Sequence, residues 1–504
     1  MKNVKTTFQI FGAASLFLLV QGCSGLKRDP LPSSEPPLPA KFPGAGSSPR
    51  SSALLGWREY FKDPNLTNLI GTALENNQEL NILMQEIAVS KSEVKARKGA
   101  IFPFITLGTD AGVEKSSRYT RDGAVEESLE IKKGKEFPEP LPNFGVVADF
   151  DWEVDIWRKL RNERDAAIKH YLATQEGRNF MVTNIVSEIA SSYYELMALD
   201  NQLSIVRRTI GIQESALGAV KLQKDAAKVT ELAVRRFEAE VLKNKSHQYE
   251  IQQKITVAEN KINYLVGRYP QPVKRNSGGF DHLMLTGIRA GLPAELLRNR
   301  PDVRQAELVL AAAGLDVKAA GARFYPALSI NAALGLRSFS LDSVFTTPES
   351  LVYGAAANLV APLINRSAIQ AAYNGASAKQ VSAIYTYQQT VLKAYIEVVN
   401  QLAEMRNLNQ GFALKSQQVQ ALSDSIDISG KLFNSARADY TEVLLTQRDA
   451  LEARIDLIEL KQQQLNAYVK AYKALGGGYN RDEESGNSAK ATLAQSASPN
   501  HSSR

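Results

Sequence analysis

The sequence predicts a mainly α-helical protein that carries transmembrane β-strands and is built from a duplicated helix–strand–strand–helix unit. Three observations carry that expectation: where the prolines fall, four segments that alternate between apolar and polar residues, and a similarity of the chain to itself. Proline in a helix interior costs about 3 kcal/mol or more, so proline-free runs mark where long helices are permitted. No proline occurs from Asn143 to Tyr269 or from Leu363 to Ser498. Within these runs Ile185, Ile189, Tyr193, Leu196, Leu199, Leu203, Val206 and Ile210 are spaced by threes and fours, as are Leu451, Ile455, Ile458, Gln462, Leu465, Tyr468, Tyr472 and Leu475. Such near-heptad spacing reads as coiled-coil packing. A helix from about Leu160 to Lys224 would reach on the order of 100 Å at ~1.5 Å per residue. The alternative is a set of shorter helices broken at Gly177, Gly211 and Gly218.

The elements follow in order from the amino terminus. Met1 to Gly22 has a basic start, Lys2 and Lys5, and an apolar stretch from Phe8 to Val20. That stretch is too short for a stable membrane anchor and reads as an export signal over residues 1–22. Leu19-Val20-Gln21-Gly22-Cys23 resembles a lipoprotein processing site, and Cys23 is the only cysteine in the chain. A single cysteine excludes an intramolecular disulfide and a Cys-based zinc site; its position makes it the expected lipid attachment point. Ser24 after the cysteine resembles lipoproteins sent to the outer membrane. Residues 23–52 hold seven of the 20 prolines with serines and glycines between them, a composition suited to an extended tether and unable to build a core.

Residues 53–270 and 292–480 then run in one order. Ala100-Ile101-Phe102-Pro103 matches Arg323-Phe324-Tyr325-Pro326 at an offset of 223, Thr230-Glu231-Leu232 matches Thr441-Glu442-Val443 at 211, and Leu265-Val266-Gly267 matches Ala474-Leu475-Gly476 at 209. A repeat of this length is one structural unit used twice. The offset shrinks because the first copy carries the longer loop, Ser116 to Asn143. Residues 271–291 link the copies, and 481–504 lack apolar periodicity and read as a disordered tail.

Each copy is expected to hold two strands, at about 101–115 and 144–156 and at about 326–338 and 351–363, followed by a helical hairpin at about 159–267 or 366–476. The clearest alternation places Phe144, Val146, Ala148, Phe150, Trp152, Val154 and Ile156 on one face and Gly145, Val147, Asp149, Asp151, Glu153 and Asp155 on the other. Strands of about ten residues suit a tilted crossing of a bilayer. A soluble sheet packed on helices would alternate in the same way. The export signal, the lipid anchor and four carboxylates in seven residues favour a wet lumen behind an apolar band. Four strands cannot close a barrel, since single-chain barrels begin at about eight, and open edges are not tolerated in lipid. Several copies must therefore share one barrel, three giving twelve strands and four giving sixteen.

Composition removes other classes. With 44% hydrophobic residues, mean hydropathy −0.24 and no long apolar window, a polytopic helical membrane protein is excluded. A charge of +7 without a basic cluster interleaved with aromatics gives no sign of nucleic-acid binding. His170, His247, His282 and His501 are scattered, and no H-E-x-x-H, P-loop or G-x-S-x-G string occurs, so an enzyme is disfavoured and no cofactor or metal is expected.

Three strings, taken together around the duplication, are more specific. Trp57-Arg58-Glu59-Tyr60-Phe61-Lys62-Asp63-Pro64 with Asn76-Asn77, then Leu292-Pro293-Ala294-Glu295-Leu296-Leu297 with Arg300-Pro301-Asp302-Val303, and finally Tyr472-Lys473-Ala474-Leu475-Gly476-Gly477-Gly478-Tyr479 resemble the opening, central and closing signatures of the TolC-like outer membrane factor family, in particular its lipoprotein branch. The resemblance implies a homotrimer: a 12-stranded outer membrane barrel continued by a periplasmic helical barrel with an equatorial belt. It also implies a periplasmic adaptor and an inner-membrane efflux transporter as partners, with the channel passive. In the family the periplasmic end narrows where the second hairpin turns. The matching residues are Arg437, Tyr440, Thr441, Glu442 and Leu445: Glu442 as the charged constriction, Tyr440 and Arg437 holding the tip shut, and Leu445 at a position commonly Asp. Thr230 and Glu231 are expected to shape the adaptor groove. Asp149, Asp151, Glu153 and Asp155 are expected to line the lumen, and Trp152 and Trp157 to join an interfacial aromatic girdle. The alternative from another class is a lipid-anchored periplasmic coiled-coil scaffold without a pore.

Overall fold

A computed structural model describes residues 30–33, 38–43, 51–283, 288–362, 364, 366–435 and 437–479. The signal segment, Cys23 and the tail from 481 lie outside the described residues. The long helices are α1 (Pro64–Asn76), α2 (Gln78–Gly99), α3 (Lys159–Asp225), α4 (Glu231–Val266), α5 (Pro301–Ala322), α6 (Ser367–Asn434) and α7 (Tyr440–Ala474). The four long strands are β1 (Phe104–Glu114), β2 (Leu141–Val154), β3 (Ala327–Ser338) and β4 (Leu351–Val360). No described helix is long and apolar enough to cross a membrane.

The glycines at 177, 211 and 218 do not break α3, which is continuous over 67 residues. A single glycine costs a helix about 1 kcal/mol, whereas Ile185, Ile189, Tyr193, Leu196, Val206 and Ile210 are all buried on one stripe. Burial of each such side chain contributes about 1.5–3 kcal/mol, so the stripe outweighs the glycines. Asp63 starts α1 by accepting from the Asn65 amide at 2.8 Å, with Pro64 supplying a first-turn φ that suits a helix. Asn77 ends α1 and caps α2, accepting from the Leu80 amide at 3.1 Å.

The strands form one antiparallel sheet in the order β1-β2-β3-β4. Beneath it hang α2, α3, α5 and α6, each packed on the next in that same order. The match is covalent: α2 leads into β1, α3 leaves β2, α5 leads into β3 and α6 leaves β4. Farther down, α4 folds back on α3, α7 folds back on α6, and α7 packs on α3, so a second row of four continues the first.

A belt of short segments clasps the middle. Tyr60 stacks on Tyr472 with ring centroids 4.1 Å apart, and its hydroxyl donates to the Tyr468 carbonyl at 3.1 Å. The Tyr193 hydroxyl donates to the Asp63 carboxylate at 2.7 Å. Arg275, from the segment linking the two copies, holds Asp200 of α3 at 2.5 Å and Glu259 of α4 at 2.5 Å. The tether is not wholly coreless: Phe42, the one aromatic in residues 23–52, is buried and stacks on Tyr395 of α6 at 5.4 Å.

The duplication is visible bond by bond. The Asn77 side-chain amide donates to the Leu265 carbonyl at 2.8 Å, and the Arg300 guanidinium donates to the Ala474 carbonyl at 3.0 Å. Leu265 and Ala474 each sit at the end of a hairpin's returning helix. Two residues after them Gly267 and Gly476 adopt φ of 76° and 91°, where a Cβ would stand 2.4 Å from the Asn76 carbonyl oxygen and 2.5 Å from that of Asn299. Only glycine meets both the left-handed backbone and the close approach. The opening, central and closing strings are therefore the parts of one clasp built twice.

Candidate functional site

The sheet has two unlike faces. Strand register puts Asp110 opposite Gly145, Thr106 opposite Asp149, Asn331 opposite Asp151 and Ser329 opposite Glu153. The other face presents Leu107, Val113, Leu334, Tyr353 and Leu359, all more than half exposed, and carries no charge on any of the four strands. An exposed apolar surface of this extent marks an interaction site, here of strand height. β4 alternates weakly because its polar-side positions are Val352, Gly354, Ala356, Asn358 and Val360, small or apolar apart from Asn358.

On the polar face the structure brings together Asp149, Asp151 and Glu153 with residues that sequence reasoning had not paired. Asp151 accepts from the Asn331 side-chain amide at 2.5 Å, and Asn331 in turn accepts from Asn358 at 3.1 Å, a polar ladder across three strands. Glu153 meets Lys159 at 2.5 Å. Asp110 accepts from Asn143 at 3.1 Å and pairs with Arg337 at 3.4 Å. That contact spans β2 because Gly145 lies between them; a Cβ there would stand 2.4 Å from the Asp110 carboxylate. Five carboxylates, adding Glu114, face two cations, so the row keeps three net negative charges in each chain.

Asp155 departs from the expectation that it joins this row. β2 ends at Val154, and the Asp155 side chain is buried, accepting from the Leu160 and Arg161 amides at 3.0 and 2.9 Å. The first amides of a helix have no partner within it, and Asp155 satisfies two of them at the head of α3. Alternation in the sequence continued past the strand end and could not register that demand. Trp152 and Trp157 both anchor the lower rim, their indole N–H groups donating to the Ile101 carbonyl at 3.0 Å and the Pro326 carbonyl at 2.8 Å.

At the opposite end, the second hairpin turns between α6 and α7. Tyr440 and Leu444 pack against Val220, Ala233, Val234 and Phe237 of the first hairpin, joining the two tips within one chain. Arg437, Glu442 and Leu445 are exposed, Leu445 by 43%. Thr441 is half-buried and donates to the Asp439 carboxylate at 3.4 Å. Among the described residues neither Arg437 nor Glu442 has a side-chain ion pair. Glu231 on the first tip is held by Lys224 at 2.8 Å and Arg235 at 2.9 Å, and the bond from Lys224 lowers its pKa. No group of acidic, His or Cys residues among those described is placed to hold a metal ion.

A sheet with one apolar and one acidic face, set on stacked rows of long helices, suits a protein of a membrane export system, and comparison with known proteins gives the same class. The outer membrane efflux protein family model matches residues 69–268 and 292–477, and the chain belongs to that family. It is similar to a solvent efflux pump outer membrane protein of Pseudomonas putida, 26% identical over 473 residues, 92% of this chain and 97% of that one. It is also similar to the cation efflux system protein CusC of Escherichia coli, 26% identical over 424 residues, 84% of this chain and 88% of that one. The open-state outer membrane channel MtrE of Neisseria gonorrhoeae superposes with a TM-score of 0.79 at 22% identity, covering 91% of this chain and 99% of that one. The protein is an outer membrane efflux channel of tripartite pumps, with the TolC-like fold.

Proposed function

We propose that three copies close edge to edge, β1 of one against β4 of the next, into a 12-stranded barrel whose lumen is lined by Asp149, Asp151 and Glu153 together with the Asp110–Arg337 pair. The observation that carries this reading is the four-stranded sheet with two unpaired edges and two unlike faces. Unpaired edges cost several kcal/mol per backbone group in lipid, and closure by further copies removes them. The acylated Cys23 holds the tether at the periplasmic leaflet, and residues 115–140 and 339–350 form the outward loops. The helical rows form a periplasmic duct that supplies no energy of its own, ending at the second hairpin tip, where three Glu442 side chains make a charged constriction and Tyr440 and Arg437 hold the closed state. The tips around Thr230 and Glu231 meet the adaptor, which links the duct to an inner-membrane transporter.

Recording from purified protein in planar bilayers, alongside its native mass, tests the reading. Stable pores from a three-chain species are expected, with cation preference reduced in D149N/D151N/E153Q. A monomer that forms no pores would favour the lipid-anchored scaffold instead.

A further inference from the structure

We infer that the corner where β2 turns into α3 is a binding site for an anionic phospholipid headgroup of the periplasmic leaflet, an inference that rests on the apolar sheet face lying in the bilayer. An open groove of about 520 Å³ lies between the head of α3 and the end of α5, closed at one side by Tyr373 of α6. Trp157 forms its upper rim, stacked on Tyr325 at 4.7 Å. Immediately above, Ile156 is half exposed at the end of the apolar band.

The charges in the groove are unbalanced. Arg158 lies 4.0 Å from Asp165 and its side chain is 60% exposed. Asp165 is already engaged by Arg164 through two bonds of 2.9 and 2.6 Å. Lys318, facing them from α5, has no hydrogen bond or ion pair among the described residues. Asn162 supplies an independent sign: it is more than nine-tenths buried, it lines the groove, and among the described residues its side-chain amide has no hydrogen-bond partner. The residue is buried but its amide is open to the groove that Arg158 and Lys318 also line, which leaves it free to meet a ligand. The head of α3 is already capped by Asp155, so the site rests on these side chains and not on the helix end.

Guanidinium, ammonium and amide lining one opening make a site for a phosphate oxyanion. The aromatic rim decides in favour of a lipid phosphate over a free one, because stacked Trp and Tyr at the foot of an apolar band suit the interfacial region of a bilayer. The groove also remains open in an assembly. α3 and α5 are the inner pair of the row α2-α3-α5-α6, whereas a neighbouring copy must join at the sheet edges β1 and β4. Asp165 lies five heptads before Asp200, the α3 residue that holds Arg275 of the belt. The groove thus continues the stripe of α3 that carries the belt.

Native mass spectrometry of the full chain, equilibrated with an equimolar mixture of phosphatidylglycerol and phosphatidylethanolamine, tests the site. Wild type should retain phosphatidylglycerol preferentially, with each cation near an anionic surface contributing about five-fold. R158Q/K318Q should lose most of that preference and N162A part of it, whereas R448Q, far away on α7, should keep it. K318Q alone serves if the double variant does not assemble, since Lys318 has no partner to lose. Unchanged lipid preference in these variants overturns the site, as does displacement of the lipid by millimolar inorganic phosphate. A protein that conducts in planar bilayers yet shows no lipid preference removes this inference and leaves the channel reading standing.

Discussion

Replacing Gly476 by alanine tests the twofold clasp. An L-residue in the left-handed region costs about 1–2 kcal/mol, and Gly476 has φ 91°. The added Cβ would also stand 2.5 Å from the Asn299 carbonyl oxygen and 2.7 Å from its carbon, where no real Cβ is found. Backbone must therefore move, and the neighbouring residue is Arg300. That guanidinium is buried and gives bonds to Asp302 at 3.0 and 2.7 Å, to Glu397 at 2.7 Å and to the Ala474 carbonyl at 3.0 Å. Burial opposes its charge, and its bonds to the Asp302 and Glu397 carboxylates outweigh that, so its pKa is raised. Losing one charge-assisted bond of this kind costs about 1.5–3 kcal/mol, which with the backbone strain gives roughly 2.5–5 kcal/mol for G476A. Unfolding in detergent is compared at a fixed scan rate because it need not be reversible. Trp57, buried in the belt, reports it by fluorescence. G267A should lose a similar amount, since its Cβ would meet the Asn76 carbonyl oxygen at 2.4 Å. G211A, in the open interior of α3, should instead gain about 0.5–1 kcal/mol. A G476A midpoint equal to or above wild type would refute the clasp argument, and a loss in G476A without one in G267A would refute its twofold character.

Three further outcomes follow from the geometry. Asp155→Ala should destabilise the head of α3 by about 0.5–2 kcal/mol and leave cation preference unchanged, whereas a fall in preference without a loss of stability would return this residue to the lumen row; thermal scans and bilayer recordings separate the two. Burial raises the pKa of Tyr60, Tyr193, Tyr194 and Tyr472, with Asp63 adding to the effect at Tyr193 and Tyr194. The unfolded chain therefore releases these protons first as pH climbs past about 10, and the stability they contribute, fully present below that pH, falls by up to about 1.4 kcal/mol per tyrosine per pH unit. Unfolding midpoints between pH 9 and 11.5 should show a drop that is shallower in Tyr60→Phe, and equal slopes would contradict the assignment. Glu442→Gln should lower cation preference, with the difference shrinking as salt is raised; unchanged reversal potentials at low salt would exclude Glu442 from the constriction.

What could be read in advance was whatever is periodic along one chain. Apolar spacing by threes and fours located α3 and α7, and spacing by two sorted the faces of β2 and β3, because each signal belongs to a single element and survives without knowledge of its neighbours. Pairing does not. Asp110 and Arg337 are 227 residues apart, and nothing in either strand specifies that Gly145 will lie between them; only register across three strands does. The same limit explains Asp155, whose place in the alternation is regular but whose partners are amides of the following helix. The duplication partly escapes this limit. Asn77 and Arg300 differ in every atom beyond Cβ that matters to a motif search, yet they stand 223 residues apart, as do Pro103 and Pro326. Their acceptors Leu265 and Ala474 stand 209 apart, the offset found for the closing strings. Equal offsets at donor and acceptor predict equal contacts even where the residue types have diverged, so in a repeated chain the spacing between copies carries contact information that the residues themselves have lost.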